Sequence, residues 1–125
     1  MTPTTDDLTT PAALMRAFTR RLNERDLDGL VALYEPDAAF EPEPGTVVHG
    51  HAEIRTALTG LLTLEPTMAT ETVQVLESRD IALVVNEWSM TGTTPDGSEV
   101  RQGGRSADVV RRQTDGTWRV VVDKP

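Results

Sequence analysis

Two aspartates near the end of the chain occupy positions where carboxylates are unusual. Residues 103–123 have the pattern of two β-branched strands joined at Asp115-Gly116, a pair that strongly indicates a hairpin. Asp108 lies in the middle of the first strand, and Asp123 follows a valine triplet at the end of the second. Because aspartate is depleted in strands, two carboxylates on adjacent antiparallel strands indicate a pocket that uses them. Asp108 is the candidate catalytic acid or base.

Surface chemistry would explain the same side chains without a pocket. Asp108 could form a salt bridge with Arg105 or Arg119 on the outside of the sheet, and Asp123 could be a frayed end beside Lys124. If Asp108 is instead buried among apolar residues without a paired cation, desolvation disfavours its charged form and raises its pKa. A neutral carboxylic acid would then be available near neutral pH.

The wall of such a pocket can be assigned from the alternation of side chains along strands. The run 81–90 is mostly apolar, as expected of a central strand covered on both sides, and one of its faces carries Asn86 and Trp88. These two residues suit ligand orientation or plain core filling. Tyr34, on the second predicted helix, could offer its hydroxyl to the pocket or be an ordinary core residue. The predicted ligand-binding residues are Phe18, Tyr34, Phe40, Val84, Asn86, Trp88, Met90, Val110, Val121 and Asp123. This wall predicts a largely apolar ligand with one or two oxygens.

Length, charge and composition exclude several other classes of protein. A chain of 125 residues suits one domain with its own core. It has no cysteine, and its net charge of −8 repels phosphate backbones and anionic membrane surfaces. No apolar run approaches the roughly 20 residues of a membrane span, and the first residues lack signal-peptide character. We therefore expect a cytoplasmic protein that binds neither nucleic acid nor membrane.

His49 and His51 flank Gly50 and are the two histidines of the chain. Two ligands without a third are a weak indication of metal, since zinc sites need three or four protein or water ligands. Gly50 is better explained as the start of a helix, with His51 exposed. P-loop and dinucleotide-binding signatures are missing from the sequence. The sequence therefore predicts neither a metal nor a cofactor.

The helices come first along the chain. Residues 1–10 are polar and aperiodic, so we expect a flexible N-terminal segment followed by a single domain over residues 11–125. Helical spacing predicts one helix of about four turns from Pro11, a second from Leu27 to Tyr34, and a third over 51–62.

Most of the predicted strands follow the third helix. A brief strand over 37–41 should end at Pro42, and later strands over 71–77 and 81–90 should join the C-terminal hairpin. Gly103-Gly104 is expected to form a bulge or a bend that lets the sheet curve. This segregation predicts an α+β fold, with three helices packed against one curved antiparallel sheet.

Several blocks of the sequence also resemble those of a known superfamily. They are residues 22–34 (Leu-Asn-Glu-Arg-Asp-Leu-Asp-Gly-Leu-Val-Ala-Leu-Tyr), Asp37 to Phe40, Gly50 with Ile54-Arg55, and residues 115–123 (Asp-Gly-Thr-Trp-Arg-Val-Val-Val-Asp). Together they resemble the NTF2-like superfamily, most closely its SnoaL-like and ketosteroid-isomerase-like branches. The resemblance implies a conical, cystatin-like fold that encloses an apolar pocket, and a homodimer packed through the outer sheet faces.

The predicted outer sheet face supports the expectation of a homodimer. A large contiguous apolar patch on a protein surface marks an interface. Alternation places on that face Leu83, Val85, Ala107, Val109, Val120 and Val122.

Most catalytic groups implied by the ketosteroid-isomerase resemblance are missing. The base on the first strand falls at Pro42, although a shift of one residue would bring Glu41 or Glu43 into the pocket. The oxyanion-hole tyrosine falls at Phe18, which has no hydroxyl. The oxyanion-hole acid alone has a counterpart, Asp108. These departures argue against steroid isomerisation.

Two hypotheses of different class follow. The first is a small-molecule pocket protein for a polyketide-, steroid- or terpenoid-like ligand, with isomerase, cyclase or hydratase chemistry through Asp108. The second is a non-catalytic dimerisation or accessory module. An enzyme needs at least two polar groups that converge near Asp108, whereas a binding protein needs only shape.

Overall fold

The computed structural model describes residues 6–125. It contains three helices and six strands: α1 (Pro11–Asn23), α2 (Leu27–Val31), β1 (Tyr34–Glu43), β2 (Thr46–His49), α3 (Gly50–Leu62), β3 (Thr67–Ser78), β4 (Ile81–Thr93), β5 (Glu99–Arg112) and β6 (Trp118–Lys124). The strands form one curved, unclosed sheet in the order β2-β1-β6-β5-β4-β3. Neighbouring strands are antiparallel except β1 and β6, which are parallel. The predicted α+β class, with three helices against a curved sheet, is confirmed.

α1 begins where the sequence predicts it. The Oγ1 atom of Thr10 accepts a hydrogen bond from the Ala13 amide at 3.1 Å, and Pro11 occupies the first turn, where its missing N–H has no intrahelical partner to lose. The inward faces of α1 and α3 belong to one buried core with the sheet, and they supply to it Leu14, Leu22, Ile54 and Leu58.

β1 is longer than predicted at both ends. α2 ends before Tyr34, which is the first residue of β1 because its backbone pairs in parallel with β6. The prediction that Tyr34 lies on a helix is therefore wrong. The strand also runs through Pro42 to Glu43. Proline is tolerated there because the pairing with β2 shifts register between Phe40 and Glu43, where no regular ladder N–H is required.

A bulge in β6 interrupts the regular alternation of its side chains and reverses the predicted orientation of Val120 and Val121. The pairing of β5 with β6 shifts register between Val109 and Val110, so Val121 is the extra residue without a direct partner. Val120 consequently points into the core and is buried, and Asp123 faces the same side. The predictions that Val121 lines the pocket and that Val120 lies on the outer face are both wrong.

β5 runs through Gly103-Gly104 without a bulge, which is one of the two expected alternatives. The two glycines pair in register with Ser89 and Trp88 of β4. A Cβ at Gly103 would lie 3.0 Å from the carbonyl oxygen of Trp88. Glycine at this position therefore serves a close approach of two strands.

The chain contacts the folded domain before α1 begins. Asp6 forms ion pairs with Arg20 and Arg21 of α1, and the carbonyl of Leu8 accepts a hydrogen bond from the Trp118 amide at 2.8 Å. Residues 1–5 of the expected flexible segment lie outside the described residues, and the domain boundary at residue 10 stays a prediction.

Residues 6–125 include no helix with the length and apolar character needed to cross a membrane. The cytoplasmic location stays a prediction. So does the expectation that the chain binds no nucleic acid.

Candidate functional site

A cavity of about 130 Å³ lies between the helices and the inner face of the sheet. Most of the predicted ligand-binding residues line it: Phe18, Phe40, Asn86, Trp88, Met90, Asp108 and Asp123. Tyr34, Val84 and Val110 do not line it, because their side chains are fully enclosed by the core cluster. Val121 is excluded by the bulge in β6.

Sequence reasoning missed the part of the wall that the helices and β3 supply. Met15 of α1, Leu58 of α3 and Met68 of β3 also line the cavity. Periodicity identifies the inward stripe of a helix, but the same stripe packs on the sheet and borders the cavity. The spacing alone does not separate these two environments.

Asp108 and Asp123 face each other across β5 and β6, where they are direct partners in the ladder. Asp108 is 6% exposed. Its Oδ2 accepts a hydrogen bond from the Asn86 Nδ2 at 3.3 Å, and its Oδ1 accepts one from the Lys124 backbone amide at 3.2 Å. The alternative of a surface aspartate paired with Arg105 or Arg119 is therefore wrong.

Tyr34 reaches the pair from beneath the cavity wall. Its hydroxyl donates to the Oδ2 of Asp123 at 2.5 Å. The rings of Phe18 and Phe40 lie 6.2 Å and 6.1 Å from the tyrosine ring, centre to centre, and hold it in place. The Tyr34 hydroxyl, which was predicted as a candidate ligand contact, therefore forms its hydrogen bond with the Asp123 carboxylate instead.

The electrostatics of the pair favour one bound proton. Burial, followed by the charge of Asp123, raises the pKa of Asp108 to about 10. Burial also raises the pKa of Asp123, but hydrogen bonds from Asp108 and Tyr34 act in the opposite direction. Burial and the neighbouring Asp123 raise the pKa of Tyr34 well above its ordinary value. Asp108 therefore carries a proton at neutral pH, and the hydrogen bonds that Asp123 accepts favour the charged form of Asp123 against its burial.

Asn86 is fixed in one orientation by its neighbours. Its Oδ1 accepts from the Thr72 hydroxyl at 2.7 Å, and its Nδ2 lies 3.1 Å from the Ser106 Oγ and 3.2 Å from the Met15 sulfur. The Nδ2 group consequently points toward Asp108. Ser106 could have been identified from the sequence, because it lies two residues from Asp108 on the same face of β5.

β1 supplies no carboxylate to the cavity wall. Pro42 lines the cavity, whereas Glu43 is exposed and Glu41 accepts a hydrogen bond from the Lys124 Nζ at 2.9 Å. Phe18 lines the cavity without a hydroxyl to offer. The ketosteroid-isomerase resemblance implies a base at position 42 and a tyrosine at position 18. Both positions line the cavity, and they hold Pro42 and Phe18 instead.

The two histidines lie apart from the carboxylate pair. His51 is half-buried rather than exposed as expected, and its Nε2 lies 2.8 Å from the Tyr34 carbonyl oxygen. In the part of the chain that the structure describes, no three His, Cys, Asp or Glu side chains are arranged to hold a metal ion.

Replacing Tyr34 with phenylalanine tests the ionisation of Asp123. Tyr34→Phe keeps the ring and removes one hydrogen bond to a charged group, so we expect the free energy of unfolding at about pH 7 to fall by roughly 1.5–3 kcal/mol. In strong acid Asp123 is neutral, and the difference from the wild type should shrink. Urea unfolding of both proteins at the two pH values measures this. An equal loss at both would contradict an ionised Asp123.

Comparison with known proteins places the fold. The family model of the SnoaL-like domain matches residues 15–121. A ketosteroid isomerase-like protein from Erwinia carotovora atroseptica SCRI1043 is 20% identical, with a TM-score of 0.82 over 93% of this chain and 92% of that chain. An NTF2-like superfamily protein from Salmonella enterica serovar Typhimurium LT2 is 17% identical, with a TM-score of 0.78 over 89% and 83%. A Caulobacter vibrioides protein with a cystatin-like fold is 22% identical, with a TM-score of 0.76 over 90% and 82%. No curated protein matches the chain. The predicted NTF2-like, cystatin-like fold is confirmed.

Proposed function

The chain belongs to the SnoaL-like domain family, and on that premise we propose that it is a small-molecule enzyme of the isomerase or cyclase type. Asp108 and Asp123 exchange one proton with a largely apolar carbonyl compound. The observation that carries the proposal is the pair of carboxyl groups that face each other in the ladder and line the same cavity. Such a pair places an acid and a base side by side on the wall of an apolar cavity.

The polar groups around Asp108 favour an enzyme over a binding protein. Asn86, Asp108, Asp123 and Tyr34 form a connected network at the cavity wall. Burying carboxylates costs free energy unless they are paired, and a protein that binds by shape alone has no need of them. The network therefore supports acid–base chemistry.

The proposed step is the enolisation of a ketone. Asp108 donates its proton to the carbonyl oxygen while Asp123 removes a proton from the adjacent carbon. The C–H electron pair forms the new C=C bond, and the π pair of the carbonyl moves to oxygen. One proton leaves the carboxylate pair and one enters it, so its total charge is the same before and after. Isomerisation follows when a proton returns to a different carbon.

The cavity limits the size and charge of the ligand. An apolar cavity of about 150 Å³ can hold benzene, so a volume of about 130 Å³ encloses one ring or a chain segment of similar size, and because the cavity is partly open a longer ligand extends out of it. Among the described residues that line it there is no lysine, arginine or histidine. A lining with two carboxyl groups and, among the described residues, no cationic side chain favours an uncharged ligand.

Deuterium exchange tests the proposal. The uncharged ketone 2-decanone is incubated with the protein in D₂O, and incorporation at the carbons beside the carbonyl is followed by NMR. Faster exchange than in buffer supports an enolising carboxylate pair. Binding without faster exchange supports the second candidate instead.

That second candidate is a non-catalytic ligand-binding or accessory module. Pro42 and Phe18 favour it, because both line the cavity at positions that the ketosteroid-isomerase resemblance assigns to a base and a hydroxyl donor. Only affinity for the ligand, with no turnover, is expected from such a protein.

We further propose a homodimer through the outer face of β4, β5 and β6. In the single chain Leu83 and Val122 are 37% and 39% exposed and lie among half-buried apolar side chains. Leu83→Glu would place a charge in this face and should turn a species of twice 13.7 kDa into one of 13.7 kDa in sedimentation. Val47→Glu is the control, since Val47 is 50% exposed on β2, away from this face. A wild type that sediments as a monomer at micromolar concentration would exclude the dimer.

A further inference from the structure

We propose that the indole N–H of Trp88 is a second hydrogen-bond donor to the ligand, which therefore carries a second, uncharged acceptor oxygen at the end away from Asp108. This inference rests on the proposed function, since it concerns the same cavity and the same ligand. It adds a specificity-determining residue and a feature of the substrate.

Trp88 has an unsatisfied polar atom. Among residues 6–125, the Nε1 of Trp88 is the buried side-chain nitrogen or oxygen that lacks a hydrogen-bond partner. Buried donors in folded proteins are nearly always satisfied, and an exception calls for an explanation. An indole N–H can only donate. Whatever satisfies it must therefore bring an acceptor.

The other buried polar groups of the wall are already engaged. The amide of Asn86 contacts Thr72, Ser106 and Asp108, and the hydroxyl of Thr19 donates to the Thr70 hydroxyl at 2.9 Å. Trp88 lines the same cavity with its N–H unused. A ligand that enters the cavity can supply an acceptor.

The residue opposite Trp88 brings no side chain up to the nitrogen. Trp88 pairs with Gly104 of β5, and a Cβ at Gly104 would lie 3.7 Å from the Trp88 Nε1. Glycine provides neither a side chain that fills this space nor an acceptor that would satisfy the indole. The N–H is thus left for a molecule that is not part of the sheet.

The register of β4 and β5 sets the spacing of the two ligand contacts. Asp108 pairs with Val84, and Gly104 pairs with Trp88, four residues farther along the same inward face. At about 3.3 Å per residue the two positions are roughly 13 Å apart along the strand, and their side chains shorten this distance. The ligand oxygens should therefore lie on the order of 10 Å apart.

The charges of the cavity identify the kind of acceptor. The described lining residues include two aspartates and no lysine, arginine or histidine, so a carboxylate or phosphate at Trp88 would have no counterion. A ketone, ester or ether oxygen needs none. The substrate class is an apolar molecule with a neutral oxygen near each end.

Two probes of equal length test the second contact. 2,9-Decanedione differs from 2-decanone by one terminal carbonyl. We expect the wild type to bind the dione about tenfold to hundredfold more tightly, in line with satisfying a buried donor. Trp88→Phe keeps an aromatic ring without the N–H, and it should bind both probes as the wild type binds 2-decanone. Calorimetry gives the affinities.

The indole resonances give an independent reading in the wild type. The chain has two tryptophans, and Trp118 is a core residue that does not line the cavity. The Trp88 N–H signal should move downfield with the dione and not with 2-decanone, while the Trp118 signal stays in place. If Trp88→Phe fails to fold, this shift alone decides.

The outcomes separate this inference from the proposed function. If 2-decanone binds and the dione gains nothing, or if Trp88→Phe keeps the preference for the dione, the second contact is wrong while the carboxylate chemistry stands. If neither probe binds the wild type, the apolar carbonyl ligand itself is wrong and both proposals fall.

Discussion

Asp108→Asn is expected to slow deuterium exchange into 2-decanone by about 10²–10⁴-fold, the usual contribution of a positioned general acid. Asparagine keeps the size of the carboxyl group and retains one oxygen, which replaces one of the two carboxyl oxygens that accept from the Asn86 Nδ2 and from the Lys124 amide. It has no acidic proton to give to a carbonyl oxygen. Affinity for the ketone should change much less than turnover, because the apolar wall is untouched. NMR exchange rates at saturating ketone and calorimetric affinities measure the two effects separately.

Glu43→Gln is the matched control for this experiment. It removes a carboxylate that is exposed on β1, beside Pro42 but outside the cavity lining. Exchange should be unchanged. A loss of exchange in Glu43→Gln, with activity kept in Asp108→Asn, would place the base on β1 and refute the assignment to the carboxylate pair.

The free energy of unfolding of the wild type should fall between about pH 5 and about pH 8, by up to about 1.4 kcal/mol per pH unit. The pKa of Asp108 is raised from its ordinary 3.8 to about 10 in the folded protein. Through this range the folded state keeps a proton that the unfolded chain has lost. Because the unfolded state binds fewer protons, stability decreases as pH rises and is fully present only below the unfolded pKa. The upper limit over the range is roughly 4 kcal/mol.

Asp108→Asn provides the reference for this measurement. Its side chain does not titrate, so the pH dependence should flatten, and at about pH 8 the inactive variant should be more stable than the wild type. Carboxylates with lowered pKa values, such as Asp6, lose their contribution as pH falls and so act below this range. Urea unfolding at several pH values gives the slopes. The same slope in both proteins would mean that Asp108 is ionised in the folded state.

Local patterns were sufficient to identify the acid and its neighbours. Alternation along β4 and β5 places Asn86, Trp88 and Asp108 on one face, and the ladder between these strands is regular in the structure. Because no register shift intervenes, residues two apart in the sequence of these strands lie on the same face of the sheet. The direct pairing of Asp108 with Asp123 does not follow from the hairpin turn alone, because the bulge at Val121 shifts the register that brings Asp123 opposite Asp108.

Features that depend on distant partners could not be predicted in this way. Val121 is misplaced because the bulge belongs to the pairing of β5 with β6 and leaves no mark in the valine run. Tyr34 continues the helical spacing of α2, but pairing with β6 draws it into a strand. The unsatisfied N–H of Trp88 is likewise a property of its surroundings. Each of these is decided by tertiary contacts that override a local preference.

The parallel pairing of β1 with β6 makes completion of this fold a long-range event. The β5–β6 hairpin closes over a short turn, whereas Tyr34 and Asp123 are 89 residues apart in sequence. Closing so long a loop costs entropy before its contacts form, and folds with many such contacts typically need milliseconds to seconds. Asp108 and Asp123 can come together early in folding, when the hairpin forms. Tyr34 reaches them only when β1 pairs with β6. During synthesis on the ribosome, β1 cannot pair with β6 until β6 has emerged. A nascent chain that ends before residue 118 therefore leaves one edge of β1 and one edge of β5 without the strand that pairs with both.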